Sequence, residues 1–280
     1  MSRLLLIGGC GYIGSALHKW LTASGHAVAS WDLEWRGNPA RIRNSRRDYR
    51  EANHGFRDYD AVLWFAGHST VAKCVAEPIA AFHNNVMGLI ELANKMNGQP
   101  LIYASSGSVY DAAANAKFRN MYDLSKFAAD EAIQLIYPNA YALRLGTVCG
   151  ASPNMRWNTM LNGMVKSARE KRAIEIWHAS AHRPLLGMRD LCRAVTECVR
   201  APPPPGIYNL ASVETLIGGL GERIADITGA ALRVLQRSPG YDFTMNTTKF
   251  QEEAGFRFED TIESMIWDVT NQINSQGRAA

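Results

Sequence analysis

Short apolar runs alternate with longer amphipathic segments through the first half of the chain. The runs predict buried strands at Leu4–Ile7, Ala27–Trp31, Ala61–Phe65, Leu101–Ala104 and Ala140–Leu145. The intervening segments carry apolar residues at helical spacing, which predicts helices at Tyr12–Ala23, Pro78–Met96 and Met121–Ile136. This alternation is typical of an α/β fold, and we expect a Rossmann-type doubly wound parallel sheet with helices on both faces.

The alternating pattern breaks at Ala151–Asn158, so we expect a domain boundary near Gly150. The prediction is a first domain of residues 1–150, to which the chain returns around 183–210. Residues 151–182 and 211–280 then form a smaller C-terminal α/β lid. Further helices are predicted at Asn158–Arg169, Met188–Val199 and Leu220–Thr228, and a further strand at Ile207–Asn209.

Composition narrows the function classes. The 280 residues are 47% hydrophobic and carry a formal net charge of +4, which suits a folded domain and gives no reason to expect a nucleic-acid partner. No apolar run approaches the roughly 18 residues of a membrane helix, so no membrane partner is expected. The five cysteines are scattered, which predicts reduced thiols, no metal site and a cytoplasmic protein.

A glycine-rich loop follows the first predicted strand. Gly8-Gly9-Cys10-Gly11-Tyr12-Ile13-Gly14 satisfies G-x-G-x-x-G and leads directly into a predicted helix. Glycines allow backbone N–H groups to approach a pyrophosphate at a helix N-terminus, and the last one allows helix and strand to pack closely. The loop therefore predicts a dinucleotide site.

Asp32 ends the second predicted strand, where an acidic side chain binds the ribose hydroxyls of NAD and repels the 2′-phosphate of NADP. We therefore predict NAD as the cofactor. An arginine-rich run follows from Arg36 to Arg50 and could instead hold a 2′-phosphate, although such runs are more often solvated loops.

A second motif carries hydroxyl and amine chemistry. Ser105 and Ser106 end a predicted strand, and Tyr122 and Lys126 lie four residues apart at the start of a predicted helix, on one face. A nearby ammonium stabilises a phenolate, and a serine hydroxyl can hold the substrate oxygen. We predict Tyr122, Lys126 and Ser106 as catalytic residues. Tyr110, a rival phenol without a matching lysine, is assigned to packing or substrate contact.

At these residues the sequence resembles the extended short-chain dehydrogenase/reductases, and among them the NAD-dependent nucleotide-sugar epimerase/dehydratase family in its UDP-glucose 4-epimerase-like branch. The resemblance covers nearly the whole chain. Asn84–Gly88, Leu143–Gly150 and Arg189–Leu191 resemble further family segments. The resemblance implies NAD binding by a set of residues in the first half: Gly8, Gly11, Tyr12, Ile13, Gly14, Asp32, Asp48, Phe65, Ala66, Gly67, Asn85, Ser105 and Lys126.

The resemblance also implies a nucleotide-diphosphate sugar as substrate and a homodimer built from the helices Pro78–Met96 and Met121–Ile136. Substrate contacts are expected from Ser106, Ser108, Thr147, Asn162 and Arg183, and the resemblance implies that Asn162 and Arg183 face the nucleotide diphosphate. The sequence does not name the sugar or the base. Thr147 and Asp111 depart from the usual family residues.

Three functions stay open on the sequence. Family dehydratases place an Asp-Glu pair where this chain has Gly107 and Ser108, which disfavours dehydration. An NAD-dependent nucleotide-sugar epimerase is the leading hypothesis. The alternatives are an NAD(H)-dependent nucleotide-sugar dehydrogenase or ketosugar reductase, and a catalytically silent NAD-binding module.

Overall fold

The computed structural model describes residues 1–51, 56–111, 118–235 and 240–277. A seven-stranded sheet forms the larger layer, in the order β10-β6-β5-β4-β1-β2-β3. The strands are β1 (Arg3–Ile7), β2 (Ala27–Trp31), β3 (Asn44–Ser45), β4 (Ala61–Trp64), β5 (Leu101–Ser106), β6 (Ala140–Leu145) and β10 (Gly206–Leu210). All neighbouring pairs are parallel, which confirms the predicted Rossmann-type sheet.

Helices cover both faces of this sheet because its strands are apolar on both sides. One face packs against α1 (Tyr12–Ala23) and α7 (Met188–Arg200) around Leu17 and Val195. The other face packs against α4 (Gly88–Lys95) and α5 (Met121–Ile136) around Leu89 and Ile133. The helices α2 (Val71–Ala76) and α3 (Pro78–Phe82) precede α4.

Two small sheets lie beyond residue 146. One has the order β11-β9-β7, from β7 (Thr147–Cys149), β9 (His182–Gly187) and β11 (Val213–Leu216). The other pairs β8 (Ala173–Trp177) with β12 (Ala231–Leu235). Around them pack α6 (Met160–Lys171), α8 (Ile217–Thr228) and α10 (Ile262–Gly277), with a separate apolar core that includes Leu161, Leu220 and Met265.

The C-terminal part returns to the large sheet a second time. The helix α9 (Thr248–Glu253) places Phe250 against Tyr208 of β10, and Phe256 packs in the same core. The sequence predicts that all of residues 211–280 belong to the lid. The packing of α9 against the large sheet differs from that expectation. The aromatic residues are far apart in sequence from the strand that they cover.

The first switch in strand order lies between β1 and β4. Strands on either side of this point run to helices on opposite faces, which opens a crevice at their carboxyl ends. No helix among the described residues is long and apolar enough to cross a membrane.

Candidate active site

The glycine loop makes a tight turn at the carboxyl end of β1. Gly8 has φ +89°, and a Cβ there would lie 2.6 Å from the Ala66 backbone nitrogen. A Cβ on Gly14 would lie 1.9 Å from the Gly8 oxygen. The backbone conformation and the packing therefore exclude side chains at both positions. Gly11, the N-cap of α1, has no side chain to accept the first N–H groups of the helix, so they are available to an anion.

Asp32 is held beside this loop at the end of β2. Its Oδ2 accepts a hydrogen bond from the Cys10 N–H (2.9 Å), and its Oδ1 accepts one from the Glu34 N–H (2.6 Å). These bonds fix the carboxylate at the mouth of the cleft. The arrangement suits two vicinal ribose hydroxyls and opposes a phosphate.

A cleft of about 170 Å³ runs from the glycine loop past Asp32. Most of the residues predicted to bind the cofactor line it: Gly8, Gly11, Tyr12, Ile13, Gly14, Asp32, Asp48, Phe65, Ala66 and Gly67. Asn85, Ser105 and Lys126 do not line it. The structure therefore brings the predicted dinucleotide residues of four strand ends into one site.

The arginine-rich run borders the outer end of the cleft. Arg36, Arg47 and Arg50 line it. Arg50 forms an ion pair with Asp48, which lowers the pKa of the Asp48 carboxyl, and Arg47 stacks on Trp31 at 4.9 Å. These two guanidinium groups have partners in the protein.

The catalytic helix α5 begins beside the end of β5. Its N-cap is Asn120, whose Oδ1 accepts hydrogen bonds from the N–H groups of Tyr122 (2.9 Å) and Asp123 (3.1 Å). One turn later, the buried Lys126 donates from Nζ to the Ala104 oxygen (2.8 Å) and lies 5.2 Å from the Trp64 ring centre. Burial lowers the pKa of Lys126 to about 8.

Tyr122 and Ser106 meet in front of this lysine. Burial raises the pKa of the Tyr122 phenol, and a hydrogen bond joins this phenol to Ser106. Ser106 is buried, and its Oγ lies 2.8 Å from the Ser108 Oγ. The sequence-predicted Ser106, Tyr122 and Lys126 therefore converge.

A π-helical turn supports this centre from behind. Residues His83–Met87 form one π turn between α3 and α4, and it buries the adjacent Asn84 and Asn85. Asn85 accepts from the His68 N–H (2.8 Å) and donates to the Ser125 oxygen (3.1 Å) on the catalytic helix. Asn85 thus joins the cleft wall to α5.

A buried polar chain runs beneath Ser106. Asp130 Oδ2 accepts from the Ser105 hydroxyl (2.8 Å) and from Arg144 Nε (2.8 Å). Arg144 also donates to the Tyr110 hydroxyl (3.0 Å), which donates to Asn209 (2.8 Å). Ser105 and Tyr110 are therefore hydrogen-bonded within the protein at the end of the sheet. For Tyr110, packing and substrate contact both stay predictions.

The predicted substrate residues divide into two groups. Ser108 contacts Ser106, and Thr147 is partly accessible on β7. Arg183 is buried, donates to the Tyr241 oxygen (2.8 Å) and packs over the Tyr241 ring at 5.7 Å; burial lowers its guanidinium pKa. Its Nε is buried and has no hydrogen-bond partner among the described residues.

The placement of Asn162 corrects its predicted role. It has no exposed surface, its Oδ1 accepts from the Gly150 N–H (3.0 Å), and its Nδ2 donates to the Tyr12 hydroxyl (3.0 Å) and the Arg156 oxygen (3.1 Å). With both ends of the amide bonded inside the protein, Asn162 fastens the lid to the glycine loop and does not face a diphosphate.

Sequence reasoning missed several residues of the site, among them Arg156, Asp123 and Tyr241. Arg156 lines the cleft, donates to the Ser69 oxygen (3.1 Å), and its charge lowers the pKa of Tyr122. Asp123 is buried beside Tyr122, and Tyr241 donates to it from a distant segment (2.9 Å). Asp123 could have been found from the sequence, because it directly follows the catalytic tyrosine. No local sequence pattern marks Tyr241.

The residues present fit a bound dinucleotide. Two loop glycines exclude any Cβ, the first N–H groups of α1 face the cleft, and a fixed carboxylate stands at the ribose position. Among the described residues, no group of three or more His, Cys, Asp or Glu side chains could hold a metal ion.

A known protein family matches most of this chain. The profile of the NAD dependent epimerase/dehydratase family matches residues 4–211, which is most of the chain and includes every catalytic residue named above. The chain belongs to this family. Its members are NAD-dependent, so NAD is the cofactor for which the cleft is shaped.

Two UDP-glucose 4-epimerases show how similar the chain is to known proteins and over how much of its length. The chain is 30% identical to the UDP-glucose 4-epimerase of Streptomyces lividans over 52% of this chain, and the match spans only half (50%) of that protein. It is 27% identical to the UDP-glucose 4-epimerase of Corynebacterium glutamicum over 99% of this chain and 98% of that protein.

A solved structure has the same fold along its whole length. It is the UDP-glucose-4-epimerase of Stenotrophomonas maltophila with bound NAD and formylated UDP-arabinopyranose. The TM-score is 0.88 at 19% identity, and the superposition covers 100% of each chain. This likeness establishes the fold.

Proposed function

We propose that this protein is an NAD-dependent nucleotide-sugar epimerase that acts at C4 of the sugar. The observation that carries the proposal is the convergence of the Tyr122 phenol, the Ser106 hydroxyl and the buried Lys126 ammonium beside the dinucleotide cleft. Relatives named UDP-glucose 4-epimerase support a uridine diphosphate hexose as the substrate class.

The chain's own groups have separate roles in this proposal. Tyr122 takes the proton of the C4 hydroxyl, and Ser106 holds the same oxygen. Arg156 contributes positive charge near the phenol, which favours its ionised form. Lys126, one turn further along the same helix, is proposed to add to this effect. Bound NAD supplies the hydride acceptor and, once reduced, the hydride donor. If the 4-keto sugar turns over before reduction, the product is the C4 epimer.

The substrate side offers groups for the diphosphate and sugar. Arg183 is the proposed diphosphate contact, because a guanidinium is suited to phosphate oxygens. Ser108 and Thr147 are placed for sugar hydroxyls. Gly107 and Ser108 occupy the positions that follow Ser106 and cannot act as an acid and base, which argues for epimerisation and against dehydration.

The test is conversion of UDP-glucose and UDP-galactose, with GDP-hexoses as a second panel, while NADH absorbance is recorded. Isomerised nucleotide sugar without accumulation of NADH supports the epimerase. Steady formation or consumption of NADH identifies a dehydrogenase or ketosugar reductase. Cofactor binding without conversion, unchanged by Tyr122→Phe, would overturn the proposed chemistry in favour of a silent NAD-binding module.

We also propose a homodimer through the two segments Pro78–Met96 and Met121–Ile136. Val75, Ile79 and Met87 on the helical segment from α2 to the π turn, and Phe127 on α5, are exposed; the Ile79 side chain is 84% accessible. Burial of this apolar set against a second copy would remove it from water. Light scattering at micromolar concentration should give the mass of two chains, and Ile79→Glu should give one. A wild-type monomer would contradict the dimer.

A further inference from the structure

The carboxyl group of Asp123 lies at the centre of a buried polar cluster next to Tyr122. Asp123 is 1% exposed. It accepts hydrogen bonds from the Ser108 hydroxyl (2.7 Å), the Tyr241 hydroxyl (2.9 Å) and the Asn120 amide (2.9 Å). Burial raises the pKa of the Asp123 carboxyl, and these hydrogen bonds oppose the rise.

The helix cap fixes which way two of these bonds point. Asn120 uses its Oδ1 to accept the first N–H groups of α5, so its NH₂ group must face Asp123. The same NH₂ group donates to the Tyr241 oxygen (2.6 Å), and the Tyr241 proton is therefore free to go to Asp123. Both neighbours present donors, which favours the carboxylate form of Asp123.

The direction of the hydrogen bonds is also fixed at Ser108 and Ser106. Because Ser108 donates its only hydroxyl proton to Asp123, its oxygen accepts the hydroxyl proton of Ser106 (2.8 Å). The Ser108 N–H also donates to the Ser106 oxygen (3.3 Å). In the sugar-free protein Ser106 has then committed its proton to Ser108, so it accepts the hydrogen bond from Tyr122.

We propose that Asp123 is a positioning residue that sets the direction of the hydrogen bonds through Ser108 and Ser106, so that Ser106 acts as an acceptor toward Tyr122. An acceptor stabilises the neutral phenol, and the negative charge of Asp123 disfavours the phenolate. The inference rests on the proposed function only in taking Tyr122 as the reacting phenol.

Other charged and titratable groups surround this pair and are the same in every variant compared. Lys126 shares the helix with Tyr122, Arg156 approaches the phenol from the lid, and the Cys74 thiol approaches it from α2. Asp111 lies near Asp123.

The experiment is a pH titration of the Tyr122 phenol by NMR in the NAD⁺-saturated protein labelled with [ζ-¹³C]tyrosine. The Tyr122 signal is identified by its loss in Tyr122→Phe. Asp123→Asn removes the charge and supplies a donor, Ser108→Ala removes the link but keeps the charge, and Glu131→Gln removes an exposed charge from the same helix. No sugar is needed, so the result is independent of whether any sugar is isomerised.

The expected midpoint is lower than in the wild type by about one pH unit in Asp123→Asn. Ser108→Ala should lower it in the same direction, because Ser106 can then donate to the phenolate. Glu131→Gln should leave it unchanged. An effect of Asp123→Asn without an effect of Ser108→Ala would show charge alone and overturn the directional role, as would unchanged midpoints in both. If Asp123→Asn does not fold, Ser108→Ala decides.

Discussion

Lys126 should make the protein less stable near neutral pH than at alkaline pH. Burial lowers its pKa from 10.5 to about 8, so between these values the unfolded chain binds a proton that the folded protein does not. Stability then rises with pH across this window. Below it, the cost of the buried ammonium is about 3 kcal/mol, from about 1.4 kcal/mol for each pKa unit.

The perturbation is Lys126→Met, which keeps much of the side-chain length and removes the titration. The variant also loses the bond to the Ala104 oxygen, but that loss does not change with pH. The useful quantity is therefore the difference between the two proteins at two pH values. We expect the wild type to gain about 2 kcal/mol relative to the variant between pH 7 and pH 9.5.

The assay is urea unfolding of the ligand-free proteins at both pH values, followed by circular dichroism. Lys95→Met serves as a matched control, because its ammonium is partly exposed and donates to the Arg50 oxygen (2.7 Å). The control variant and the wild type should show the same change in unfolding free energy between the two pH values. If Lys126→Met and the wild type show the same change in unfolding free energy between the two pH values, the lowered pKa of Lys126 is refuted.

Three further variants test the cleft. Gly14→Ala should weaken NAD binding at least about tenfold by calorimetry, since its Cβ would lie 1.9 Å from the Gly8 oxygen, whereas Gly219→Ala should not; equal affinities would contradict the loop geometry. Asp32→Ala should reduce NAD affinity about tenfold and narrow the preference over NADP, and an unchanged preference would refute its role. Asn85→Ala should cost about 2 kcal/mol of unfolding free energy by removing a buried acceptor, and a loss below about 0.5 kcal/mol would contradict that.

The large sheet could be predicted because its signals are local. The strands β2 and β6 and the helices α1 and α5 have the predicted bounds, since each is an apolar run or an amphipathic segment closed by turn residues or a cap. The glycine loop and the pair Tyr122 and Lys126 are also short-range patterns. Their physical requirements, absence of a Cβ and one shared helix face, are written in adjacent residues.

The lid could not be predicted to the same depth. The strand β8 is only half buried, with Ile174 and Ile176 inward and Glu175 outward, and five residues of alternation do not identify its partner β12. The strands β9 and β11 and the helix α10 were missed as well. Their pairing is set by the packing of segments far apart in the chain.

Contacts between segments far apart in the chain also limit what the sequence predicts about the active site. Tyr241 donates to Asp123 across a separation of 118 residues, and no local pattern announces it. The π turn that buries both Asn84 and Asn85 cannot be distinguished from an ordinary helix by spacing alone. Asn162 was placed at a diphosphate by resemblance, whereas its amide is bonded to Gly150, Tyr12 and Arg156.

The most direct test of the central claim follows a deuterium label at C4 of UDP-galactose. If Tyr122 and Ser106 serve reversible oxidation at C4 with NAD held in the cleft, UDP-glucose should form with the deuterium still at C4 and with no label in free NADH. Tyr122→Phe should lower this rate at least about a hundredfold while retaining NAD affinity. Transfer of the label to free NADH, or conversion unaffected by Tyr122→Phe, would contradict the account.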